Sequence, residues 1–197
     1  MTAKPGDPHI GLIVEGRGDH VALPVLLRKH LHIRNYFRDV LGPPVPVHGR
    51  GNATAVGGVE GFAATAAARP GCVGVLILLD GDGDCVAQLG PELLSRVQSQ
   101  SGKRFVVALA DVDFEDWLYA SAETLDLGIE YEHGARGQSL IVEALKPRKY
   151  VKPTWQPRLA HRVDLAVAAQ RSSSLARMLE RFDELIGLLP TPDESAS

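Results

Sequence analysis

Carboxylates stand at three places in this chain where an apolar run stops. "HIGLIV" is followed directly by Glu15, "CVGVLILL" ends in the glycine-spaced series Asp80, Asp82 and Asp84, and "RFVVALA" leads into Asp111, Asp113, Glu115 and Asp116. Brought together, such groups repel one another and raise each other's pKa values. A hard divalent cation relieves that repulsion, and an oxygen-only donor set favours Mg²⁺, Mn²⁺ or Ca²⁺ over zinc. Glu15, Asp80 and Asp82 together therefore read as a metal cluster. Any one of the aspartates alone reads as a turn former, for which Asp-Gly is well suited.

Convergence requires the three runs to be neighbouring strands of one sheet. The pattern predicts strands over 9–14, 72–80 and 104–110, with a short edge strand around Val45–His48. After the first strand, Val21, Leu23, Leu26, Leu27 and Leu31 recur at helical spacing, with Asp19 as the expected N-cap and Pro24 expected in the first turn. An alanine-rich helix stops at Pro70 and Gly71, Pro91 opens another, and a further helix starts near Asp113. This alternation predicts an α/β, Rossmann-like fold: a mostly parallel sheet with helices on both faces. Ligands of such sheets gather outside the carboxyl ends of the strands, where the acids lie.

Residues 128–157 read as loop-rich, with Gly134, Gly137, Pro147, Pro153 and Pro157. A helical tail follows, and Leu175, Met178, Leu179, Phe182, Leu185, Ile186 and Leu189 form its apolar stripe. The expected organisation is a core over 9–127, a basic loop-rich segment and C-terminal helical extension over 128–190 packed on it, and a disordered tail over 191–197.

Other motif readings fit less well. "GRGDHV" departs from the dinucleotide fingerprint, because Val21 stands where a third small residue belongs. "DGDGDCVAQLGPE" follows a calcium loop for its first positions, then has Pro91 where the bidentate Glu belongs. An aspartyl phosphatase would use Asp80 and Asp82 but leaves Glu15 unexplained. The histidines suggest no ligand set.

Composition bounds the partners. The 197 residues are 45% apolar and 23% charged, a globular balance, and no run is long enough to span a membrane. Cys72 and Cys85 are too few for a disulfide framework, and "MTAKPGDPH" lacks the apolar region of a signal peptide, so a cytoplasmic location is expected. Charge is uneven. Residues 1–135 carry 11 basic and 17 acidic side chains, whereas 136–181 carry 10 basic and 3 acidic. A basic segment on an acidic body is the footprint expected of a phosphate-binding surface.

"LIVEGRGD" followed by "LILLDGDGD" resembles the Toprim superfamily, shared by topoisomerases, primases and the OLD (overcoming lysogenization defect) nucleases. There a Glu follows the first strand and an Asp-x-Asp follows a later one. More narrowly, "FEDWLYAS", the Tyr150-x-Lys152 step and the tail to "SSSLARMLERF" resemble a stand-alone bacterial Toprim-like family, so the likeness spans about residues 9–187. It implies a Toprim-like fold and Mg²⁺- or Mn²⁺-dependent hydrolysis of DNA or RNA phosphodiesters, with an ATPase encoded separately as partner. Glu15 matches the Toprim glutamate, a metal ligand or general acid/base, and Asp80 and Asp82 match the metal-binding pair. Asp84 is then an extra ligand, Asp19 the second acid of nuclease-type relatives, and Glu115 a second-site ligand or a helix cap. Lys149 and Lys152 are expected to offset developing charge. Arg148, Arg158 and Arg162 are expected to position the nucleic-acid backbone. Two other classes remain open: a non-catalytic metal-binding module that holds nucleic acid or a partner protein, and a phosphatase of small phosphate esters.

Overall fold

Side chains that alternate along three strands divide the core into two layers. The computed structural model describes residues 3–191, so the tail expected over 191–197 lies, from residue 192 on, outside the described residues. Strands β1 (His9–Val14), β2 (Val45–Pro46), β3 (Cys72–Asp80) and β4 (Arg104–Ala110) form one sheet in the order β2-β1-β3-β4, every pair parallel. Ile13 pairs with Ile77, and Ile77 with Val107, so the carboxyl ends of β1, β3 and β4 lie side by side.

The helices are α1 (Arg17–Ile33), α2 (Arg50–Thr54), α3 (Gly58–Ala67) and α4 (Val86–Gln98) between strands, then α5 (Phe114–Tyr119), α6 (Gly137–Ala144), α7 (Lys152–Arg162), α8 (Leu165–Arg171) and α9 (Ser173–Ile186). Leu12, Val14, Leu76, Leu78 and Val106 face α1 and α5 to α9. Ile13, Val75, Ile77, Leu79 and Phe105 face α2 to α4. Burial on both faces is why these strands read as continuous apolar runs. Among the described residues no helix is long and apolar enough to cross a membrane.

Four local expectations are corrected. Gly16, not Asp19, is the N-cap of α1; Asp19 stands at N3, and its carboxylate accepts the Gly16 N–H at 3.0 Å. The helix thus starts three residues earlier, which brings Asp19 back over the strand end. Pro24 lies inside α1 rather than in its first turn, and Pro91 lies inside α4, which starts at Val86. In both, burial along the helix (Leu23, Leu26 and Leu27; Leu93 and Val97) outweighs the hydrogen bond that proline cannot donate. The stretch 128–157 holds α6 and the first turns of α7, because Ile141 and Leu145 have a core to enter.

One close approach sets the position of the basic segment. α7 lies against α1, and a Cβ on Gly18 would stand 1.9 Å from Gln156 Oε1 and 2.9 Å from Lys152 Cβ. Glycine at this position lets the first turns of the two helices meet, and Lys152 is delivered to the sheet edge.

Candidate functional site

Backbone pairing at the carboxyl edge brings four loops together. The Glu15 carbonyl accepts the Gly49 N–H at 3.1 Å, which places Arg50, the first residue of α2, beside the end of β3. Gly81 is wedged against β4: a Cβ there would meet the carbonyl oxygens of Ala110 and Asp111 at 2.4 and 2.6 Å. Asp82 takes a left-handed conformation (φ +48°), which Asp tolerates, and its N–H donates to the Val112 carbonyl at 3.0 Å. Asp113 caps α5 by accepting the Asp116 N–H at 3.1 Å. Because those carbonyls belong to backbone and cannot swing aside, Gly81→Ala is expected to destabilise the fold by about 1–3 kcal/mol, as overpacking does. Urea denaturation measures it.

The acids converge on this frame. Asp80 is 7% exposed, Asp19 5% and Glu115 fully buried. Asp80 donates its backbone N–H to Glu15 Oε2 at 3.1 Å, and its own Oδ1 accepts the Phe114 N–H at 3.0 Å. Burial, with repulsion from Asp19, Glu15 and Glu115 against the pull of Lys152, pushes Asp80 up to about 8. Burial likewise raises Asp19 to about 6 and Asp113 to about 6. Glu15 is half-buried and also raised, first by burial and then by Asp82, which places the Asp82 charge near it.

A single ammonium stands among them. Lys152 Nζ lies 3.3 Å from Glu115 Oε2 and 4.0 Å from Asp80 Oδ2. Burial lowers the lysine's pKa, but Glu115, Asp80 and Asp19 together outweigh that and hold it above its ordinary value. Tyr150 donates to the other Glu115 oxygen at 2.7 Å, and burial followed by the Glu115 charge raises the phenol's pKa. It is therefore a hydrogen-bond donor that fixes Glu115, and a poor nucleophile. Tyr150→Phe is expected to cost about 1–3 kcal/mol by leaving a buried carboxylate short of a donor, to be read by thermal denaturation.

Of the residues expected at the site, Glu15, Asp19, Asp80, Glu115 and Lys152 are brought together, with Asp82 exposed beside Glu15. Asp84 is exposed and paired with Arg50, whose guanidinium also donates to the Asp80 carbonyl at 3.0 Å. Lys149 is exposed, on the loop that precedes α7. Arg148 and Arg158 lie over Trp155, 5.2 and 5.4 Å from its ring centroid, one turn from Lys152. Arg162 is instead tied to the Leu125 carbonyl at 2.8 Å and to Asp126 at 3.7 Å. Arg50 and Gln156, which donates to Asp19 Oδ1 at 3.4 Å, were not foreseen. Arg50 follows a Pro/Gly-rich loop and Gln156 a proline-rich helix start, so neither lies in a recognisable pattern.

As they stand, no three His, Cys, Asp or Glu side chains among the described residues are gathered tightly enough to hold a metal ion. The donors nevertheless fit a hard cation in kind. They are all oxygens, their mutual repulsion is only partly offset by Lys152, and Glu115 Oε2 is buried with no well-formed hydrogen bond.

No protein-family model matches the chain, and no curated protein matches it either. Solved structures do. The C-terminal region of the Xanthomonas campestris pv. campestris OLD protein is 15% identical, with 92% of this chain and 97% of that one covered and a TM-score of 0.52. The C-terminal region of the Burkholderia pseudomallei OLD protein is 18% identical, with 90% and 98% covered and a TM-score of 0.40. At such identity the Xanthomonas likeness is one of fold: this chain is built like that region over nearly its whole length.

Proposed function

We propose that this chain is a Mg²⁺- or Mn²⁺-dependent nuclease that hydrolyses phosphodiester bonds of DNA or RNA, its cation held by Glu15, Asp80 and Asp82. The observation that carries this reading is the meeting of acids from three strand ends around one ammonium, Lys152. A bound divalent ion would polarise the scissile phosphate and make attack by water easier. Glu15 is the acid best placed to exchange a proton with solvent, being half-buried with a raised pKa. Lys152 offsets charge developing on the phosphate, and Tyr150 and Gln156 hold Glu115 and Asp19 in place. Arg148 and Arg158 present cations beside that turn for the nucleic-acid backbone.

A second reading has one observation in its favour. Lys152 already neutralises part of the acid cluster, as it would in a module that binds nucleic acid or a partner protein without cleaving it.

The test is a cleavage assay on plasmid and on short single-stranded DNA and RNA, with Mn²⁺, Mg²⁺ or chelator, beside a chromogenic phosphomonoester. Cleavage that needs metal and is lost in Glu15→Ala and Asp82→Ala supports the nuclease. Turnover of the monoester alone supports a phosphatase. Binding without cleavage, in the presence of the separately encoded ATPase the resemblance implies, supports the module. Metal loading also has a pH signature. Because the raised acids must lose protons to bind a cation, Mn²⁺ is expected to lift Tm more at pH 8 than at pH 6. Differential scanning fluorimetry reads both.

A further inference from the structure

β4 is the last strand of the sheet, and among the described residues no strand pairs with its outer edge. A groove of about 420 Å³ runs along it, with α4 forming one wall through Gly90 and Leu94 and α9 the other through Met178. Phe105, Val106, Ala108 and Leu109 are each under 10% exposed although they sit on an edge strand, so the two helices stand past it on either side. The result is a slot whose floor is a row of backbone N–H and C=O groups, the geometry by which an extended peptide adds to a sheet.

Its charge is one-sided. Arg104, Arg177 and Arg181 line the slot, and no acid lines it. Their partners lie outside: Glu184 pairs with Arg104 at 3.0 Å and Arg181 at 3.5 Å, and Asp111 with Arg177 at 4.0 Å. All five side chains are more than 40% exposed, so these pairs are weak and readily exchanged for another carboxylate. We propose that the open edge of β4 is a docking slot for an extended acidic segment of a partner protein, which pairs its backbone with β4 and sets its carboxylates against Arg177 and Arg181. Nucleic acid suits the slot less well, because a phosphodiester chain has no alternating donors and acceptors for a strand edge and no aromatic ring beyond Phe105 lines the groove. A second copy fits less well too: its own flanking helices would meet α4 and α9 before the strands met.

The experiment is amide hydrogen exchange by NMR on the full chain, with three short blocked peptides: alternating Val and Glu, alternating Val and Lys, and the Val/Glu sequence N-methylated throughout. The Val/Glu peptide is expected to slow exchange of the outward β4 amides by about tenfold or more at saturation, and the other two to leave them unchanged. Arg177→Glu with Arg181→Glu, both at exposed positions, is expected to transfer the preference to the Val/Lys peptide. Unprotected β4 amides, or equal binding of the N-methylated or lysine peptide, would overturn the proposal. So would protection of β4 by oligothymidylate, or a concentration-dependent dimer in sedimentation that protects β4 without any peptide. None of these outcomes bears on the carboxylate site.

Discussion

Asp80→Asn is expected to abolish the proposed metal-dependent cleavage, by about 10²–10³-fold or more, and to make the metal-free protein more stable at alkaline pH. The loss of activity follows from removing the most deeply placed of the three proposed ligand carboxylates. The gain in stability follows from linkage. Burial, then repulsion by Asp19, Glu15 and Glu115, raises the Asp80 pKa from 3.8 to about 8. The folded protein therefore holds this proton more tightly than the unfolded chain does. Its contribution to stability is present in full below the unfolded value near 4, declines as pH rises, and is gone once pH passes about 8. Asp19 and Asp113, both raised to about 6, work in the same direction. An amide at position 80 keeps an acceptor for the Phe114 N–H and never carries the charge. Urea denaturation in chelator at pH 5.5 and 8.5 should show the variant's advantage growing with pH. An equal loss at both pH values would contradict the repulsion argument, and retained cleavage would remove Asp80 from the ligand set.

Lys152→Met is the second large effect. Glu115 is fully buried, and Lys152 is its cationic partner at 3.3 Å. Breaking a buried ion pair from one side leaves a charge without compensation. The Lys152 side chain is 40% exposed, so water screens part of the interaction, and the expected cost is reduced to roughly 1–3 kcal/mol at neutral pH. Cleavage should fall far more than stability does, by about 10²-fold or more, because the cation proposed to offset charge on the phosphate is gone. The double variant Lys152→Met with Glu115→Gln separates the two effects. It should regain most of the lost stability, since Glu115, the fully buried charge nearest Lys152, is gone, and none of the activity. Recovery of activity as well would make Lys152 a structural counterion only.

The strands and the site acids are legible in the sequence by the same route. Continuous apolar runs ending in acid located β1, β3 and β4, and parallel packing required their carboxyl ends to meet, so Glu15 and Asp80 were legible together. Lys152 was legible only as one of two lysines; its selection over Lys149 depends on Gly18 admitting α7 against α1. The starts of α1 and α4 were misplaced because local cap and proline preferences are worth less than the burial that Leu23 and Leu93 gain. Asp84 and Arg162 were expected at the site by motif and by charge. Each has instead a specific partner, Arg50 for one and the 125–126 turn for the other, which spacing does not encode.

The most direct measurement is a calorimetric titration of the chain with Mn²⁺ at pH 8, for wild type, Glu15→Ala and Asp80→Asn. The carboxylate site predicts saturable binding in the wild type, accompanied by proton release that appears as a dependence of the heat on buffer, and its loss in both variants. Absence of binding in wild type, or binding unchanged in both variants, would contradict it.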